Sequence, residues 1–217
     1  YSFDVIYPKG IDSGNLRSGY DVIIFVGGAI PGTGSRGFAM GGRGTADSMS
    51  PPQFRAMTGR ITVERSIPQL KSFMEQGGSV ITIGSSTQLA YHLKLPVTDA
   101  MVEVENGAER SLTREKYFTP GSILKVTTAN LQMTAAGMSK ETDVYFDNSP
   151  VFRLNPDAVS SGTIRPLAWF TADKPLRSGW AWGQAYLKNG IVAFEANIGK
   201  GKLYAFGPEI TFRAQSY

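Results

Sequence analysis

The sequence predicts an α/β fold: a mostly parallel sheet with helices on both faces, followed by a β-rich second half. Three observations predict it. Residues 20–26 (YDVIIFV) and 79–83 (SVITI) are unbroken β-branched apolar runs, as expected of parallel strands buried on both faces. Between them, residues 64–76 (ERSIPQLKSFMEQ) place Ile67, Leu70, Phe73 and Met74 at helical spacing. After Pro96 the chain breaks into short apolar runs separated by Gly, Pro, Asn and Asp, a β-rich pattern.

The elements follow in order. Residues 3–7 (FDVIY) read as a short strand ended by a turn at Pro8-Lys9-Gly10. The strand at 20–26 runs into Gly27-Gly28. Residues 29–60 are rich in glycine and lack apolar periodicity, which predicts a long mobile loop. In the helix at 64–76, Ser66 is a suitable cap, Pro68 fits the first turn and Gly77-Gly78 stops it. The strand at 79–83 turns at Gly84-Ser85-Ser86 into a short helix at 87–93. Strand, helix, strand, tight turn and helix spell a doubly wound sheet. Further strands are expected at 102–104, 122–127, 144–146 and 167–170. Residues 185–187 and 191–196, joined by Lys188-Asn189-Gly190, read as a hairpin, and residues 202–206 as a last strand. No polar linker separates the halves, so residues 1–217 read as a single domain.

Composition excludes several kinds of chemistry. The 217 residues hold 22 Lys+Arg, 18 Asp+Glu, one His and no Cys. A chain without Cys has no thiolate nucleophile and no zinc–thiolate site, and His92 alone cannot build a multi-histidine zinc site. No catalytic residue and no metal ligand is assigned within the chain, and no cofactor is expected in it. A net charge of +4 without a basic–aromatic cluster argues against nucleic acid as a partner. No apolar run is long enough for a membrane span.

The most suggestive spot is 81–90 (ITIGSSTQLA), where a strand, a sharp turn of small residues and a helix resemble a nucleophile elbow. Ser85, Ser86 and Thr87 would crown a helix N-terminus and could bind water or a small anion. As a GxSxG motif it is incomplete, because Gln88 replaces the second Gly. His92 follows Ser86 too closely on the same short helix to serve as its base. The plainer expectation is that Ser85 or Ser86 only caps the helix. The literal GxGxxG at 32–37 (GTGSRG) is followed by Gly41-Gly42-Arg43-Gly44 with no room for a helix, so it reads as a by-product of glycine content. Glu103/Glu105 and Asp143/Asp147 are pairs by spacing only, and His92 reads as an ordinary packed imidazole. Trp169, Trp180, Trp182 and Tyr186 could line a sugar or peptide groove, though core packing is the expected role.

Four stretches carry a family resemblance: 20–32 (YDVIIFVGGAIPG), 63–97 (VERSIPQLKSFMEQGGSVITIGSSTQLAYHLKLPV), 117–126 (YFTPGSILKV) and 176–215, ending GKGKLYAFGPEITFRAQ. They resemble the C-terminal region of bacterial zinc-carboxypeptidase-family proteins. There a metallocarboxypeptidase domain precedes a domain similar to class I glutamine amidotransferases. The resemblance implies a flavodoxin-like fold in a fragment of a longer chain, with zinc only in an upstream peptidase domain that would be the partner in cis. It also implies a peptide or cell-wall substrate and a secreted or periplasmic full-length protein. If Gln88 matches the family's helix Gln, the nucleophilic Cys position falls on Gly84, and the family's late His is missing. The expected function is therefore a non-catalytic accessory domain. The alternatives are a serine-dependent hydrolase at the Ser85–Ser86 elbow and a carbohydrate- or peptidoglycan-binding module.

Overall fold

A computed structural model describes residues 2–33, 51–55 and 57–211. Among the described residues four short helices are present: α1 (Pro8–Asp12), α2 (Ser66–Glu75), α3 (Leu89–His92) and α4 (Pro156–Ser160). The strands are β1 (Val22–Phe25), β2 (Ser79–Ile83), β3 (Val97–Asp99), β4 (Val102–Glu105), β5 (Ala108–Ser111) and β6 (Ser122–Thr128). They continue as β7 (Glu141–Phe146), β8 (Phe152–Leu154), β9 (Ile164–Trp169), β10 (Leu176–Ser178), β11 (Ile191–Ile198) and β12 (Gly201–Phe206). Ten of them share one sheet, ordered β1-β2-β12-β11-β9-β6-β10, with β7 beside β6 and β8 joining β3 to β11. β4 and β5 form a separate hairpin.

The fold is mixed α/β with a large sheet and few helices, and the expected mostly parallel sheet is corrected. Among the described residues only β1–β2 and β2–β12 pair in parallel; the remaining strand pairs are antiparallel. A parallel pair needs a long crossover, usually helical, and among the described residues α2, between β1 and β2, is the one helix longer than five residues. Two-residue turns force β4–β5 and β11–β12 to be antiparallel, and pairs such as β3–β8 and β6–β9 join strands far apart in sequence with no long helix between them among the described residues.

Helices on both faces are not seen among the described residues. α2 lays Ile67, Leu70, Phe73 and Met74 over the face that carries Ile23, Phe25, Val80, Leu203 and Ala205. On the opposite face, Val22 and Ile24 of β1 are exposed, as is Val26 just beyond it. The run at 20–26 is thus an edge strand buried on one side only. β11 joins the two cores. Phe194 meets Phe152 edge-to-face at 5.2 Å in the cluster under α2. Its neighbour Val192 belongs to the second cluster, with Leu124, Val126, Phe146 and Phe170.

Smaller expectations also fail for local reasons. Residues 3–7 form no strand: Phe3 and Val5 are exposed, and Pro8 opens α1 because proline suits a first helical position. Ser66 does not cap α2; it is the helix's first residue, accepting from Thr62 N at 3.0 Å and donating to Asp12 Oδ1 at 2.6 Å. Residues 184–187 form a 3-10 turn rather than a hairpin arm. β11 instead pairs with β12 and β9. Most of the expected mobile loop at 29–60 lies outside the described residues.

Candidate functional site

The carboxyl ends of β1, β2 and β12 lie side by side, and three loops meet there. β2 ends at Ile83. Gly84 then takes φ +58, a left-handed conformation, and residues Gly84–Gln88 form a 3-10 turn leading into α3. This is the sharp strand-to-helix turn of an elbow. Ser85 and Ser86 sit at that turn, on the same sheet edge as the loop after Val26, to which both are bonded.

All three hydroxyls at the turn are engaged. Ser86 is buried; its Oγ donates to Val26 O at 2.5 Å and accepts from Ala29 N at 3.1 Å and Ile30 N at 3.3 Å. Ser85 Oγ accepts from Gly28 N at 2.8 Å. Thr87, also buried, donates to Gly84 O at 2.7 Å. None caps a helix. They brace the loop after β1 against the elbow, and the four-residue α3 is too short to build up a useful dipole.

Gln88 and His92 belong to the same brace. Gln88 Oε1 accepts from Thr33 Oγ1 at 3.0 Å and Thr33 N at 3.4 Å. His92 Nε2 lies 2.7 Å from Pro31 O and, facing a carbonyl, carries the proton there. The lone imidazole is thus committed to the loop backbone, as is the Ser86 proton.

The residue missed by sequence reasoning is Glu209, three residues past β12. A methyl group on Gly84 would overlap Glu209 Oε1, so this carboxylate fills the space where a side chain at the elbow would begin. Burial, and then the nearby Asp147, push the Glu209 carboxyl above its ordinary value. Asp147 is held in a turn: its Oδ1 accepts from Gly121 N and Asn148 Nδ2, each at 3.3 Å. Gly84, Ser85, Asp147 and Glu209 line one open groove. The usable sequence signal was Gly84 itself, a glycine closing a strand before a helix; nothing local marked Glu209.

The other candidates scatter. Asp143 pairs with Arg177 at 3.4 Å, whereas Asp147 is held by Gly121 N and Asn148. Glu103 pairs with Lys116 at 2.5 Å and Glu105 with Arg110 at 3.3 Å. Trp169 is partly buried in β9, whereas Trp180, Trp182 and Tyr186 are exposed, which corrects the packing role expected for those three. Among the described residues no three His, Cys, Asp or Glu converge as a metal site. No helix among them is long and apolar enough to cross a membrane.

No family model matches the chain, and no curated protein matches it. Nothing in the comparisons links it to zinc carboxypeptidases. Its fold neighbours include a β-galactosidase from Bacillus circulans sp. alkalophilus, at TM-score 0.40 and 15% identity over 66% of this chain and 18% of that one. A ThuA-like protein from Bacteroides uniformis matches at TM-score 0.40 and 8% identity, over 70% of this chain and 58% of that one. A GMP synthase protein from Thermoplasma acidophilum matches at 0.37 and 11%, over 65% and 53%. The chain spans less than two thirds of each. ThuA-like and amidotransferase-like folds are therefore among the neighbours, at scores too low to place the chain in either group.

Proposed function

We propose that the chain is a non-catalytic accessory domain with a flavodoxin-like, amidotransferase-like edge, belonging to a zinc carboxypeptidase and docking on its peptidase domain. The observation that carries the non-catalytic reading is the elbow. Its backbone has the nucleophile's conformation, yet the residue there is Gly84, and the carboxylate of Glu209 takes the space of the missing side chain. The serines beside it have their hydroxyls tied up in loop contacts, and the lone His is bound to a carbonyl. An acyl-transfer site needs a free nucleophile and a base in reach of it; the buried Ser86 proton is given to Val26 O, and the lone imidazole is turned to Pro31 O rather than to either serine.

Docking is supported by the uncovered face of β1. Val22, Ile24 and Val26 alternate on one face and are exposed, Ile24 at 59%. Contiguous apolar surface of this kind marks contact sites. Zinc would belong to the peptidase domain, bound by ligands this chain does not supply. The experiment is made on the full-length protein. Ile24→Lys should leave this domain folded but uncouple its melting from that of the peptidase domain, and should raise KM for a large substrate while leaving kcat on a small one. An upstream coding sequence lacking His-x-x-Glu and a later His would overturn the parentage. Glutaminase or esterase turnover by the isolated chain, abolished in Ser86→Ala, would overturn the non-catalytic reading.

A further inference from the structure

The segment after β10 spends two tryptophans at the surface. Trp180 and Trp182 are 52% and 53% exposed, and their rings lie within 14° of parallel with centroids 6.5 Å apart. Tyr186, also exposed, is on the turn that follows. Leaving this much aromatic surface in water forgoes burial that side chains of this size usually gain.

The rings are also held in place. Trp182 exchanges two backbone hydrogen bonds with Phe118, at 3.1 and 2.9 Å, and its Nε1 donates to Glu115 O at 2.5 Å. Trp180 N donates to Ser122 Oγ at 2.9 Å, and the Trp180 ring meets Phe118 edge-to-face at 5.9 Å. Gly183 follows at φ +66, where a Cβ would overlap Lys116 O, so a left-handed glycine is required to bring the segment this close to 115–118. The Nε1 bond of Trp182, the Phe118 contact of Trp180 and the stacking of the two rings restrain both side chains, which lowers the entropy cost of binding.

The rim identifies the class of ligand. Arg114 lies over the Phe118 ring at 5.3 Å, and Lys116 is held by Glu103. That hydrogen bond, with lesser contributions from the charges nearby, Tyr186 among them, raises the Lys116 ammonium above its ordinary value. The Glu115 carboxyl is lowered, chiefly by its hydrogen bond with Thr113. Two cations and two carboxylates thus flank the aromatic surface. Nucleic acid calls for an excess of cations, and a proline-rich peptide offers carbonyl acceptors but few donors. A sugar ring meets both requirements: its C–H face stacks on an indole, and its hydroxyls both donate to carboxylates and accept from Arg and Lys. We infer that Trp180 and Trp182, with Arg114, Lys116 and Glu115 around them, form a glycan-binding platform that stacks pyranose rings. Arg114 and Phe118 also line the groove that holds Gly84 and Glu209, but the inference rests on the tryptophans and does not depend on the accessory reading.

The test uses the 217-residue chain, titrated by calorimetry with chitohexaose, cellohexaose and xylohexaose and, as the competing class, a decaproline peptide. At least one hexasaccharide should bind saturably with Kd of about 1 mM or tighter. Trp180→Ala and Trp182→Ala should each weaken it by about tenfold, and Trp182→Phe by less, because a smaller aromatic face remains. Far-UV circular dichroism should stay that of the parent, and Tm should fall only modestly, since each ring is about half exposed and makes few contacts beyond Phe118 and Glu115 O. Absence of saturable binding by all three sugars would overturn the proposal. So would sugar binding that survives in both alanine variants, or binding of decaproline alone.

Discussion

The elbow edge and the aromatic platform are built with the same device and opposite results. Each places a left-handed glycine, Gly84 or Gly183, where neighbouring atoms leave no room for a Cβ. At the elbow, most polar side chains on the turn are tied to the chain itself: Ser86, Thr87 and Gln88 bond to its own backbone and loops, Ser85 alone is exposed and accepts from Gly28 N, and Glu209 fills the space over Gly84. At the platform, the backbone is equally restrained, but the side chains are left facing water. The elbow resembles an active site in outline but turns its buried serine and its lone imidazole to backbone carbonyls; the platform has no motif and presents aromatic surface. A functional site is recognised by what remains unsatisfied once the local contacts are accounted for.

The most direct way to break the comparison is to show that the two regions belong to independent units. Phe194 sits on β11, between the parallel edge and the antiparallel half, and packs on Phe152. Phe194→Ala should cost about 3–5 kcal/mol, as usual for removing a buried ring. All three tryptophans lie in the second half of the sequence, whereas backbone circular dichroism reports on both halves. Urea transitions followed by the two probes should coincide in the parent and shift together in the variant. Separate midpoints would mean that the shared sheet does not couple the halves.

The next effect separates bracing from display. Ser86→Ala leaves Val26 O, Ala29 N and Ile30 N without their buried partner and should cost about 1–3 kcal/mol. Ser85→Ala removes one exposed contact and should cost at most about 1 kcal/mol. The much larger change Trp180→Ala should cost less than Ser86→Ala. Denaturant titrations of the three variants give the order; a costly Trp180→Ala would make the platform a packing element.

The sequence was informative where structure depends on local pattern. The strands at β1 and β2, the helix between them and the turn at Gly84–Gln88 all follow from apolar runs and small residues. Strand direction was misjudged because parallel pairing depends on which distant strand arrives alongside: β12, 118 residues after β2 ends, completes the parallel edge. Glu209 was invisible for the same reason, since its place over Gly84 is set by a contact across the sheet edge. The Trp pair was read as packing because a Trp is usually more valuable buried; the spacing of 180 and 182 on an irregular segment does not reveal which side faces water. The 185–187 arm failed on a turn rule: Asn-Gly suggested a hairpin, whereas Asn189 is left-handed (φ +63) at the end of a 3-10 turn.

Gly84→Ala sharpens the account of the elbow. A left-handed alanine costs about 1–2 kcal/mol. The overlap with Glu209 adds little if its flexible carboxylate end moves away. Gly84→Ala should therefore lower stability, and combining it with Glu209→Ala should recover only the part due to overlap. Full recovery would show that crowding, not backbone conformation, selects glycine here.

The smallest effect is the dependence on pH, and its sign follows from Glu209. Burial first and Asp147 second raise its carboxyl above the ordinary value of 4.5. The folded protein therefore holds this proton more tightly than the unfolded chain does. Where the unfolded chain has already ionised and the folded one has not, each rise in pH lowers stability; the loss is complete once pH passes the raised value. Below 4.5 both states are protonated and the group contributes nothing to the slope. Glu209→Gln keeps the shape but cannot ionise. Measured against the parent, its Tm should match at acid pH, then gain steadily across the window above 4.5 and level off. Asp147→Asn removes the lesser cause and should produce a weaker version of the same curve. Because Glu209 is partly exposed, solvent screening keeps the gain small. A difference that stays constant with pH would show that Glu209 acts at the elbow through its volume alone. A difference of opposite sign would show that its ionised form is the one the turn at Gly84 stabilises.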